Sequence, residues 1–147
     1  FAAVAMWWLW RFRRQDYVTY FGPLLRDGEV DRLPGAFYFL VGTTLTALLV
    51  PMPTARYAVA CLSFADPVAA WVGRSVKSPK LAESASVAGS AACFITAWFS
   101  GYWMLNDSSF LRIAIGALVC TIAEAVPLAN DNLTIPILTA IAVEFIV

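Results

Sequence analysis

The chain has 147 residues, 61% hydrophobic and only 14% charged, with ten basic and ten acidic side chains and no histidine. Its mean hydropathy is +0.72, whereas a soluble domain carries about 25% charged residues, so the composition points to an integral membrane protein. Zero net charge leaves no electrostatic basis for nucleic-acid binding. The lack of histidine excludes a Ser-His-Asp or Cys-His catalytic system within the chain. Cys61, Cys93 and Cys120 lie in apolar runs without CxxC spacing, which makes zinc a poor fit and helix packing the simpler role.

The first apolar run, residues 1–12, holds about ten apolar residues before Arg11, too few for a bilayer span of roughly 20. There is no initiator methionine and the basic cluster follows the apolar run. The run therefore reads as a partial helix, truncated or processed, rather than a signal peptide. Arg11, Arg13, Arg14, Arg26 and Arg32 come next and read as topology determinants and lipid-headgroup contacts. Five further apolar segments follow: Gly35–Met52, Tyr57–Val72, Val87–Leu105, Phe110–Ala129 and Leu133–Val147. Pro51, Pro53, Pro67, Pro127 and Pro136 punctuate them. Together they predict an all-α polytopic transmembrane helix bundle of about five to six spans, forming one integral membrane domain over residues 1–147. The basic residues then assign the loops at 13–34 and 74–86, and with them residues 128–132, to one membrane face. Arg56 and Arg112 mark the other. Trp7, Trp8, Trp10, Trp98 and Trp103 fit interface belts.

Within this pattern LSFADPVAAWVGR, residues 62–74, stands out. An acid inside an apolar segment is functional by default, and Asp66 lies eight residues before Arg74, about 12 Å along a helix. The bland alternative is a structural acid paired with Arg74 or Arg56. Glu124 sits in the middle of its run and shares the logic, with packing beside a Pro127 kink as its alternative. Glu144 has no motif support. Asp131 and Asn132 fit either a site or a turn and N-cap before Leu133. SVAGSAA, residues 86–92, suits close helix packing as well as nucleotide contact. Asp66, Asp131, Asn132, Ser86, Gly89 and Ser90 are expected at one face with Arg74, Lys77 and Lys80. Carboxylates near a glycine-containing basic loop suit a phosphate and magnesium site.

LPGAFYFLVGTTLTALLVP (33–51), LSFADPVAAWVGR (62–74), SVAGSAACF (86–94), AEAV (123–126) and DNLTIP (131–136) occur in an order that resembles the CTP-dependent lipid-alcohol kinases. That group includes dolichol kinase, yeast-type diacylglycerol kinase and phytol kinase, and the resemblance covers roughly residues 20–147. It implies transfer of the γ-phosphate of CTP to a lipid alcohol, with Mg2+ and CTP as cofactors. Asp66, Asp131 and Glu124 would be the catalytic carboxylates, with Asp66 and Asp131 also holding the metal. Arg74, Lys80, Ser86, Gly89, Ser90 and Asn132 would bind the nucleotide. The lipid would enter sideways from the bilayer. The organelle stays open among endoplasmic reticulum, plastid and bacterial inner membrane.

The chain departs from the family pattern at three places. Ala65 and the bulky Phe64 precede the aspartate where glycine is usual. Pro67 follows where a small residue is common. Ala85 stands where the family places a lysine, the expected phosphate cation. Lys80 or Lys77 would replace it if the loop folds back. The alternative reading is a catalytically degenerate relative acting as a scaffold subunit with other membrane subunits. The two readings predict different interiors: a polar cavity between Asp66, Ser86 and Asp131, or that space filled by Phe64.

Overall fold

The computed structural model describes residues 1–25, 32–82, 85–105, 109–126 and 129–146. Arg26 and Pro127, singled out in the sequence, lie outside them. The described residues are helical, with one isolated bridge between Lys80 and Ser86. In order they form α1 (Ala2–Phe12), α2 (Arg14–Phe21), a 3-10 turn (Gly22–Leu24), α3 (Gly35–Leu49) and α4 (Met52–Ala60). A π-turn (Cys61–Ala65) leads into α5 (Asp66–Ser75). Then come α6 (Val87–Met104), α7 (Phe110–Ala125), α8 (Asp131–Ile141) and a closing π-turn (Ala142–Ile146).

The all-α expectation holds, but the expectation of five to six membrane spans does not. No helix among the described residues is long and apolar enough to cross a membrane. At 1.5 Å per residue, α3 with 15 residues, α7 with 16 and α8 with 11 reach only about 22, 24 and 16 Å, short of a hydrocarbon core of about 30 Å. The 18 residues of α6 include two glycines, two serines and a threonine, which dilute its apolar character. The apolar composition is thus spread over short segments, and the assignment of loops to two membrane faces falls with the spans.

Residues 1–41 and 42–147 form two compact units. In the first, Trp7 and Trp8 meet Phe12 at ring-centroid distances of 5.9 and 6.3 Å, and Arg13 pairs with Asp16 at 2.7 Å. That ion pair is exposed and adds little stability.

In the second unit, the fully buried ring of Tyr57 occupies a slot made by two glycines. A Cβ on Gly116 would lie 2.5 Å from the Tyr57 ring, and one on Gly101 would lie 3.1 Å from it. The two glycines therefore let α6 and α7 close on α4. Cys61, Cys93 and Cys120 are buried in the same core, with the Cys93 and Cys120 sulfurs 3.9 Å apart. This agrees with the packing role. Glu144 is also structural: it accepts hydrogen bonds from Thr54 Oγ1 at 2.8 Å and Arg112 Nη2 at 3.2 Å. The arrangement ties α4, α7 and the closing π-turn together.

Pro67 explains the π-turn before Asp66. Proline has no N–H to donate four residues back, and its ring crowds that carbonyl. The helix widens instead, and the Asp66 amide reaches the Cys61 carbonyl five residues earlier. Such turns re-aim the side chains that follow them.

Gly116→Ala tests the Tyr57 slot. In an open helix this change would stabilise by up to about 1 kcal/mol. Here overpacking against Tyr57 should instead cost about 1–3 kcal/mol. Gly101→Ala should cost less. Denaturant unfolding of the two variants checks both the sign and the order.

Candidate functional site

A cavity of about 370 Å³ opens among α5, α6, α7, α8 and the 76–86 connection. Asp66, Gly73 and Arg74 reach it from α5, Glu124 from α7 and Asp131 from α8. Gly89 lines it from α6, and Lys80, Ala85 and Ser86 from the connection. Residues spread over 66 positions of sequence thus meet in one space, and the cavity expected between Asp66, Ser86 and Asp131 is present. Phe64 does not fill it. That side chain is 57% exposed and lines a different surface.

The connection folds back as a strap. The Val87 amide donates to the Pro79 carbonyl at 2.9 Å, the Leu81 amide to the Ala85 carbonyl at 3.0 Å, and the Ala88 amide to Ser78 Oγ at 3.1 Å. Lys80 and Ser86 pair across this strap, so Lys80 comes to the cavity beside buried Ala85. Lys77 is not among the cavity residues.

The cavity wall depends on a close backbone crossing. A Cβ on Gly89 would lie 2.9 Å from the Ala69 carbonyl oxygen and 3.3 Å from Gly73 Cα. Small residues here therefore pack α5 on α6, while the same stripe lines the cavity. Ser86 caps α6, its Oγ accepting from the Gly89 amide at 3.2 Å. Ser90 is buried one position beyond Gly89 and is not part of the wall. At α8 the cap is Asn130, whose Oδ1 accepts from the Asn132 amide at 3.1 Å. The capping role falls one residue earlier than the sequence suggested, which leaves Asp131 in the first turn, facing the cavity. Asn132 stays outside the wall.

One positioning residue was missed. Gly42 lets α3 approach the start of α8, since a Cβ there would lie 2.5 Å from the Asn132 carbonyl oxygen. The glycine in LVGTTLT was a visible signal for it, but its partner lies 90 residues away and has no local signature.

Electrostatically the cavity lining carries three acids and two bases. Asp66 forms no ion pair among the described residues. Burial, and then the negative charge of Asp131, hold its carboxyl above the usual range. Burial likewise raises Glu124, with Asp66 and Asp131 adding to the effect, and burial raises Asp131. Oε2 of Glu124 is buried and has no hydrogen-bond partner among the described atoms. Arg74, on the same helix as Asp66, is oriented by its Nε, which donates to the Ala70 carbonyl at 2.9 Å. Hard carboxylate oxygens suit magnesium. No group of three acidic or sulfur donors among the described residues could close a metal cage. An ion held by Asp66 and Asp131 would need further oxygen ligands, as magnesium commonly has.

No protein-family profile matches the chain, and no solved structure matches it. Over most of its length it is similar to CTP-dependent diacylglycerol kinases. It is 29% identical to CTP-dependent diacylglycerol kinase 1 of Schizosaccharomyces pombe over 84% of this chain and 65% of that protein. The Saccharomyces cerevisiae protein of the same name is 27% identical over 94% of this chain and 57% of the relative. The Eremothecium gossypii protein is 29% identical over 89% and 50%. The chain spans roughly half to two thirds of the length of these curated relatives. The resemblance read from the sequence is borne out by these three proteins, which match over most of the chain.

The raised carboxyls fix the sign of a stability test. A carboxyl whose folded-state pKa lies above its unfolded value binds protons more tightly when folded. Its contribution is most favourable at low pH and is lost as pH rises through the folded-state value. Without divalent cation, Asp66→Asn should therefore unfold at a higher temperature than wild type at pH 7, and the gap should close toward pH 4. Thermal unfolding across that range checks this, and a variant less stable at pH 7 would mark Asp66 as a structural acid.

Proposed function

We propose that the protein is a lipid kinase that transfers the γ-phosphate of CTP to the hydroxyl of a lipid alcohol, with diacylglycerol the first substrate to test. The observation that carries this reading is the single cavity in which Asp66, Glu124 and Asp131 lie with Arg74 and Lys80. The similarity to CTP-dependent diacylglycerol kinases supplies the donor and the acceptor class.

Phosphoryl transfer needs positioning and charge neutralisation more than covalent catalysis, so the missing histidine is no obstacle. Asp66 and Asp131 would hold magnesium, which when bound neutralises phosphate charge. Arg74 and Lys80 neutralise the triphosphate. Glu124, with its unpartnered oxygen, takes the proton of the lipid hydroxyl. The hydroxyl oxygen forms a bond to the γ-phosphorus, the bond from that phosphorus to the β,γ-bridging oxygen breaks, and CDP leaves. The exposed apolar side chains Leu48, Trp71, Phe99 and Trp103 fit a protein that meets its substrate at a lipid surface.

In this reading Lys80 stands in for the lysine that the resembling kinases place at position 85. The folded-back strap supports that substitution, since it seats Lys80 beside Ala85. Phosphate transfer from γ-labelled CTP to diacylglycerol, measured with magnesium, tests the assignment. Asp66→Asn should lower the rate by a factor of roughly 10² or more, and Lys80→Ala by a similar factor, as for other lost charge-stabilising groups. Adding Ala85→Lys to Lys80→Ala should restore a large part of it. A wild-type protein with no transfer to any lipid alcohol, silent also with Ala85→Lys, would overturn the reading.

A further inference from the structure

A second cavity, about 360 Å³, runs along α4 and the π-turn and shares no lining residue with the first. Its floor is low because Ala60 and its neighbours carry little side chain. Met52, Phe64 and Met104 rise around it. Its lining is almost wholly apolar, with the exposed Ser63 and Arg56 among the residues at its edge. Arg56 is exposed and forms no ion pair among the described residues.

An apolar trough with one cation on its wall has a definite complement. Apolar lining with a few placed polar groups is the usual make-up of a small-molecule site, and this volume lies near the lower end of the range of roughly 300–1,000 Å³. That size suits one alkyl chain rather than two. A neutral alcohol or diacylglycerol would gain nothing from Arg56. A phosphate monoester presents several acceptor oxygens and more negative charge than a carboxylate, which makes it the stronger partner for a guanidinium.

We infer that this groove is a binding site for a lipid phosphate, with one alkyl chain along α4 and its phosphate head on Arg56. The inference concerns a separate cavity and is read by binding alone, so it stands or falls independently of the transfer reaction.

The three methionines of the chain supply the test, because Met52 and Met104 line the groove while Met6 lies in α1. Protein carrying 13C-labelled methionine methyls, held in a neutral maltoside detergent, is titrated with dodecyl phosphate. The Met52 and Met104 signals should shift together and saturate, and Met6 should stay in place. Arg56→Gln should weaken binding roughly tenfold, as expected for loss of a charge-assisted contact, and Arg56→Lys should retain more of it. Dodecanol should bind wild type no better than dodecyl phosphate binds Arg56→Gln, and laurate should fall between them. Ser63→Trp, a change at an exposed position, should block the groove and abolish the shifts. Equal movement of Met6, unchanged affinity in Arg56→Gln, or laurate binding as tightly as dodecyl phosphate would each overturn the assignment.

Discussion

The cavity depends on one backbone crossing. At Gly73 and Gly89 the helices α5 and α6 come so close that a methyl group on Gly89 would press on the Ala69 carbonyl. The approach sets the level of everything above it. It seats the Ser86 cap against α5 and draws the strap over the end of α6. It also leaves Asp66, one helical turn below Ala69 and Ala70, open to acids arriving from α7 and α8. The small residues of SVAGSAA that make this packing, Ser86 and Gly89, also line the cavity. Without the small residues there would be no close crossing, and without the crossing the acids and bases would not share a wall.

Partial desolvation of the carboxylates runs against the stability of the fold. Each of the three is held above its ordinary proton affinity by loss of water, and Asp66 and Glu124 also by like charge nearby. A fold selected only for stability would replace at least one of them with a neutral side chain. By contrast, the acid at Glu144 is satisfied by Arg112 and Thr54. The difference separates Glu144, whose charge is paired, from three acids that form no ion pair among the described residues.

Much of the site was legible because its residues break the composition around them. Asp66 and Glu124 are conspicuous in apolar runs, and Asp131 follows a turn signal. What the sequence concealed were distances and phases. The backbone pairing that turns the strap back on itself depends on Pro79 and Ser78 meeting Val87 and Ala88, contacts with no local pattern. The N-cap at Asn130, rather than one residue later, is a matter of a single rotation. The expected spans failed for a related reason. Hydropathy summed over a run does not register that Pro67 opens a π-turn, that Pro53 restarts a helix after Pro51, or that serines and glycines dilute α6. Phe64 looked like an obstruction because it precedes Asp66, yet the widened turn leaves it facing outward, along a different groove.

The charge balance of the cavity argues for the order in which its ligands would assemble. Asp66, Glu124 and Asp131 supply three negative charges when ionised, and Arg74 and Lys80 supply two positive ones, so 3 − 2 leaves one negative charge in excess. A polyanionic triphosphate entering alone would be repelled by the acids it would approach. A divalent cation reverses that sign and lowers the proton affinity of the same carboxylates. In the proposed reaction, partial desolvation of these carboxylates would thus favour a cation entering together with the nucleotide, with Arg74 and Lys80 contacting phosphate.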